Sequence, residues 1–188
     1  MSNKVRLQAL ADEDMSAEQF EITKHYRRGG ILPNVIRIAL RHTKLFKAYK
    51  PFSLFTLALS NVEPRVRELA ILRVAWHNKS EYEWVHHVRI ALQDTDLRET
   101  DIENIKIGAE APNWDQLDKM VLSLVDQMKE TSNVDDETYE YLITSLGEHK
   151  FTELLHTIGN YDMIAKVLNI FGVPIEEGFE AFEMNAEK

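Results

Sequence analysis

Apolar positions recur at intervals of three and four along nearly the whole chain, and turn-forming residues interrupt them where helices would end. The pattern predicts an all-α protein of about seven or eight helices, and no segment reads as a convincing strand. Ser16-Ala17-Glu18-Gln19 reads as a capping box opening a helix that stops near Arg28, before Gly29-Gly30. The next helix is expected from Pro33-Asn34 through Ile36, Ile38, Ala39 and Leu40 toward Tyr49, with Pro51 enforcing a boundary. Pro64 suits the first turn of a helix ending near Asn78, and Ser80 is expected to cap its successor, which runs to Gln93 or so.

After the polar link Asp94-Thr95-Asp96, a short helix is expected from Glu99 to Ile107, closed by Gly108. Asn113-Trp114-Asp115-Gln116 opens an amphipathic helix with Leu117, Met120, Val121, Leu124, Val125 and Met128 on its apolar face. Asp135 caps another. The last long helix, from Phe151 to Ile170, carries Leu154, Leu155, Ile158, Met163, Ile164, Val167 and Leu168 and ends at Gly172-Val173-Pro174. Residues 176–188 read as a weakly held tail. No internal repeat or low-complexity tract is evident, so residues 1–188 are expected to form one all-α domain.

Composition narrows the chemistry. The chain of 188 residues has no cysteine, which removes disulfides, thiolate metal sites and thiol redox chemistry together. A formal charge of -9, with no clustered basic run, disfavours nucleic acid and anionic lipid as partners. No apolar stretch is long enough to span a bilayer, and the N-terminus lacks the hydrophobic segment of a secretion signal. A cytoplasmic protein that acts on a small molecule is the expectation.

Candidate chemistry gathers in two adjacent helices. Glu68 lies in an otherwise apolar run, Arg67-Glu68-Leu69-Ala70-Ile71-Leu72-Arg73-Val74-Ala75-Trp76, where a carboxylate is costly without a partner or a task. In the next helix the spacing of Ser80, Glu83 and His87 places a hydroxyl, a carboxylate and an imidazole on one face. Glu83 and His87 can meet directly, and Glu68 can approach the same ring. Carboxylates favour imidazolium while burial opposes it, which sets histidine titration near the range useful for general acid–base catalysis. The competing explanation is a buried Glu–His pair that fixes helix packing. Ser80 and Glu83 equally fit a capping box. A serine nucleophile is disfavoured because residues 80 and 87 stand about 10.5 Å apart along the helix axis. Glu68, Glu83 and His87 could ligate a divalent ion, but no recognised metal spacing is present, and neither metal nor cofactor is expected. Arg73 and Arg89 are candidate partners for a substrate carboxylate, and Trp84, with Trp76 and Tyr82, for a pocket wall.

These segments resemble the carboxymuconolactone decarboxylase family, which includes the alkylhydroperoxidase D-like proteins. The likeness rests on residues 67–75 followed by Tyr82-Glu83-Trp84-Val85-His86-His87. It extends to Gly30-Ile31-Leu32-Pro33-Asn34, to Gly159-Asn160-Tyr161-Asp162-Met163 and to Asn169-Ile170-Phe171-Gly172-Val173-Pro174, covering residues 28–174. The peroxidase branch has a glutamate, a C-x-x-C pair and a histidine; by spacing these fall on Glu68, Ser80 with Glu83, and His87. The resemblance therefore implies a peroxidase or peroxiredoxin label whose two thiols are missing here. The decarboxylase branch also lacks the cysteine pair, and its Glu…His-Val-Arg motif reads here Glu83, His87, Val88, Arg89. Similarity to that branch implies a lyase moving protons on a small carboxylated lactone or related organic acid, with His87, Glu83 and Glu68 catalytic and Tyr161 lining the pocket. It also implies a multihelical bundle and a homo-oligomer, often trimer-based. A non-catalytic oligomeric module that binds a small molecule is the alternative.

Overall fold

A computed structural model describes residues 4–27, 29–177, 179 and 184. The first three residues, Arg28 and most of the expected tail lie outside the described residues. Among the described residues eight α-helices follow in order: α1 (Ala17–Thr23), α2 (Asn34–Ala39), α3 (Thr43–Leu54), α4 (Pro64–Asn78), α5 (Glu81–Asp94), α6 (Glu99–Ile107), α7 (Gln116–Thr131) and α8 (Asp136–Phe171). The fold is thus an all-α multihelical bundle, as the periodicity predicts.

Most helix ends follow from local chemistry. Ser16 accepts from the Gln19 amide and Gln19 reaches back, completing the capping box. Asp115 and Asp135 cap α7 and α8 by accepting from Asp118 and Thr138. Pro64 occupies the first turn of α4. Gly172 ends α8 at φ 64°, where an added Cβ would stand 2.2 Å from the Lys4 carbonyl oxygen. Gly147, at φ 78° and ψ 161°, breaks α8 into the two helices that the sequence separates.

The stretch before α4 departs from expectation in two ways. The predicted helix from Asn34 to Tyr49 is divided, because His42 adopts φ -126° and ψ 79° and caps a new helix through its ring nitrogen. Pro51, expected as a boundary, instead lies inside α3, which continues into a π-helical turn at Phe55–Leu59. Tertiary contacts override the local preference here. The turn carries buried Thr56 beneath α8, where Asn160 Nδ2 donates to its Oγ1 at 2.9 Å and Tyr49 donates to Asn160 Oδ1.

Helix α4 is the hub. It packs against α5, α6, α7 and α8, and Val66 and the run from Glu68 to Ala75 are buried. A helix enclosed all round needs apolar residues on every face, which explains the near-continuous apolar run. Lys79, at φ 51°, makes the left-handed turn that folds α5 back against α4. The main core joins α4 to Trp84, Val85 and Val88 of α5, Val121, Leu122, Leu124 and Val125 of α7, and Leu154 and Ile158 of α8. Met163 and Val167 of the last helix are exposed with Ile170.

The C-terminal segment is tied down where a loose tail was expected to begin. Glu176 is buried, accepting from Tyr82 Oη at 2.6 Å and from the Asn34 amide, and pairing with His86 Nε2 at 2.7 Å. Burial works against this carboxylate, but those hydrogen bonds and the His86 charge hold it below its ordinary 4.5. Phe179 stacks on His86 at 4.8 Å and Met184 is buried in the main core.

Candidate active site

Three side chains from α4 and α5 converge under α8. His87 Nδ1 lies 2.7 Å from a Glu68 oxygen, within hydrogen-bond reach. Its other nitrogen, Nε2, faces Glu83 at 3.5 Å, an electrostatic pair longer than a hydrogen bond. The Tyr161 ring from α8 stands edge-on to the imidazole, with centroids 4.8 Å apart and planes at 87°. All four residues are buried. The spacing of Glu83 and His87 on one helix and the burial of Glu68 thus bring together the three residues that the sequence singles out.

Burial and charge push the two carboxyls apart. Burial alone would raise Glu68, but the His87 charge and hydrogen bond, with Arg67, outweigh it and hold Glu68 below its ordinary 4.5. Burial dominates at Glu83 and raises it, with Glu68 adding to the rise and His87 and His86 opposing it. His87 loses solvation yet ends above its ordinary 6.5, because Glu68 and Glu83 stabilise the imidazolium. Tyr161 is pushed well above 10.0 by burial and by both carboxyls. Burial, with the Glu83 charge, also lifts Tyr49 to about 12.

Ser80 does not form the expected capping box. Its ψ of 91° departs from the 160–176° of Ser16, Asp135 and Asp115, whose side chains do cap. The Oγ makes no bond to α5 and is buried without a partner among the described residues. Glu83, released from reaching back to the helix start, is free to address His87. Trp84 packs in the core against Trp76, with centroids 5.7 Å apart and Lys106 over both rings.

Neither expected arginine serves the site. Arg73 is engaged by Asp126 through Nε and Nη2 at 2.6 and 3.0 Å, while its Nη1 donates to the Ile105 and Lys106 carbonyls. It holds α6 and α7 to α4, and His77 shares the same Asp126. Arg89 is exposed, with its guanidinium 4.6 Å from the Phe179 ring centroid. The guanidinium at the site is that of Arg67, whose Nε donates to Glu68 at 3.0 Å. Its signal in the sequence is a charged residue beside Glu68 at the head of an apolar run.

Among the described residues no three His, Asp or Glu side chains are grouped to hold a metal ion; Glu68 and Glu83 sit on opposite nitrogens of His87 instead of around a shared point. A small pocket lies elsewhere, between the start of α5 and residues 172–175, lined by Glu81, Tyr82, Leu168, Asn169, Val173 and Pro174. No helix among the described residues is long and apolar enough to cross a membrane.

Fold and site together define a cysteine-less, all-α protein built around a buried Glu–His–Glu cluster. Residues 43–124 match the model of the carboxymuconolactone decarboxylase family. An uncharacterized peroxidase-related protein from Silicibacter sp. TM1040 shares the fold with a TM-score of 0.73 at 17% identity, over 94% of this chain and 91% of its own. An uncharacterized peroxidase-related protein from Ralstonia eutropha JMP134, described as an alkylhydroperoxidase AhpD core, superposes with a TM-score of 0.75 at 14% identity, over 93% of both chains. A protein of unknown function from Agrobacterium tumefaciens gives 0.65 at 18% identity, over 74% of this chain and 95% of its own. No curated protein sequence matches the chain.

Proposed function

We propose that the protein is an acid–base lyase acting on a small carboxylated lactone or related organic acid, with His87, Glu83 and Glu68 as its catalytic group. The observation that carries this reading is the placement of two buried carboxyls on opposite nitrogens of one imidazole, with opposite titration shifts. Such separation assigns roles: Glu83 holds a proton to give, and His87, kept cationic by Glu68, replaces it. In a decarboxylation the bond to the carboxylate breaks and CO2 leaves. The electron pair delocalises into the lactone carbonyl as an enolate, and the carbon takes its proton from Glu83. His87 reprotonates Glu83 and recovers its own proton from solvent, so one proton is consumed for each CO2 released. Tyr161 walls the ring, and Ser80, whose buried hydroxyl has no partner among the described residues, is assigned to substrate binding.

Thiol peroxidase chemistry is excluded by composition, because no cysteine can form the thiolate. Incubating a panel of small lactone carboxylates and keto acids in D2O, with NMR detection of deuterium at carbon and of CO2 release, tests the reading. At least one acid is expected to react, and His87→Gln to abolish the reaction; equal turnover by that variant would overturn the assignment.

The same reading includes a homo-oligomer, trimer-based as the resemblance implies. Exposed Phe52 in α3 and Phe55 and Leu59 in the turn after it, with Met163, Val167 and Ile170 along α8, support it, since apolar surface of this kind favours association. Light scattering at micromolar concentration is expected to give a multiple of the chain mass, and a strict monomer would remove this part of the reading.

A further inference from the structure

Arg67 is the one guanidinium at the site, and it is only partly used. Its side chain is 11% exposed, and its Nε donates to one oxygen of Glu68 while His87 Nδ1 holds the other. A guanidinium carries five N–H donors in a planar fork. Among the described residues, Nη1 and Nη2 of Arg67 have neither a hydrogen-bond acceptor nor a second carboxylate. Both remain in contact with solvent, since they are not among the sealed, unpartnered atoms. Two other enclosed arginines differ: Arg73 is saturated by Asp126 and two carbonyls, and Arg65 by Asp118 and Asp96.

We infer that Arg67 is the anion-recognition residue of the His87 site, its free guanidinium edge receiving the carboxylate of a small organic acid. The inference rests on the acid–base reading of the same site and supplies the substrate contact which that reading lacks, now that Arg73 and Arg89 are committed elsewhere. Planar, bidentate geometry matches a carboxylate to the fork. A largely enclosed guanidinium attracts an anion more strongly than an exposed one does. Arg67 and His87 share the Glu68 carboxylate, which ties the guanidinium to the imidazole.

The full-length protein is titrated with benzoate, and separately with benzamide and inorganic phosphate, while NMR follows the Arg67 Nε–H and the His87 ring. Benzoate is expected to shift both resonances saturably, and benzamide neither. In Arg67→Lys, which keeps the charge and loses the fork, affinity for benzoate should fall about tenfold or more, the scale of a lost charge-assisted hydrogen bond. Resonances unmoved by benzoate, an equal response to benzamide or phosphate, or unchanged affinity in Arg67→Lys would each overturn the inference. The wild-type titration needs no variant to fold. Benzoate is not a lactone, so binding is read apart from turnover. Benzoate binding without proton transfer on any acid would sink the lyase reading and leave the anion site, whereas turnover without Arg67-dependent binding would do the reverse.

Discussion

Glu68→Gln is expected to lower the free energy of unfolding by about 3–5 kcal/mol, the range for removing one partner of a buried ion pair. Glu68 is fully enclosed and is the shared acceptor of His87 and Arg67. Its neutral replacement leaves an imidazolium and a guanidinium facing each other without a counter-charge. Urea unfolding monitored by tryptophan fluorescence and circular dichroism reads the change as a lower midpoint with an unchanged slope. A loss under about 1 kcal/mol would mean that the pair is solvated and that its burial does not govern its energetics.

The same pair fixes the pH dependence. Glu68 titrates below 4.5 in the fold, so its contribution is present above 4.5 and is lost as pH falls through the depressed folded value. His87 titrates above 6.5 in the fold, so its contribution is present below 6.5 and is lost as pH rises through the raised folded value. The pair therefore stabilises most between 4.5 and 6.5. Both flanks should flatten in Glu68→Gln.

What the sequence made legible was whatever depends on spacing within one helix or on burial of one segment. Glu83 and His87 meet because they are one turn apart, and Glu68 is enclosed because its neighbours are apolar on every side. Partners brought from far along the chain were not legible. In the sequence Arg73 fits a substrate carboxylate and a structural acidic partner equally, and only the fold, by setting Asp126, 53 residues away, against it, decides for the second. Glu176 looked like the start of a tail because its partners Tyr82, His86 and Asn34 are 94, 90 and 142 residues distant. Arg67 is not legible for another reason: its use depends on which guanidinium nitrogens remain unpaired, a property of side-chain geometry. The Ser80 capping box fails on one backbone angle, and Pro51 lies inside α3, which continues into the turn whose Thr56 is bonded by Asn160.

Glu83→Gln should separate the two carboxyls most sharply, by destroying activity without unfolding the protein. Burial favours the protonated form of Glu83, and an amide of nearly the same shape keeps a carbonyl oxygen that can still face His87 Nε2. Stability near pH 6 should change far less than in Glu68→Gln. The sign of the pH effect also differs. A carboxyl whose folded value is raised loses its contribution as pH climbs from 4.5 through that value, so Glu83→Gln should weaken less than wild type on the alkaline side. Glutamine cannot donate a proton to carbon, and turnover should fall by about 10²–10⁴, the usual contribution of a positioned general acid. Rates on the reactive acid, paired with urea midpoints at several pH values, decide it. Full activity would remove Glu83 from the proton path and leave His87 as the donor, while a midpoint as low as that of Glu68→Gln would show that Glu83 is an ionised member of the pair and that burial does not hold its proton.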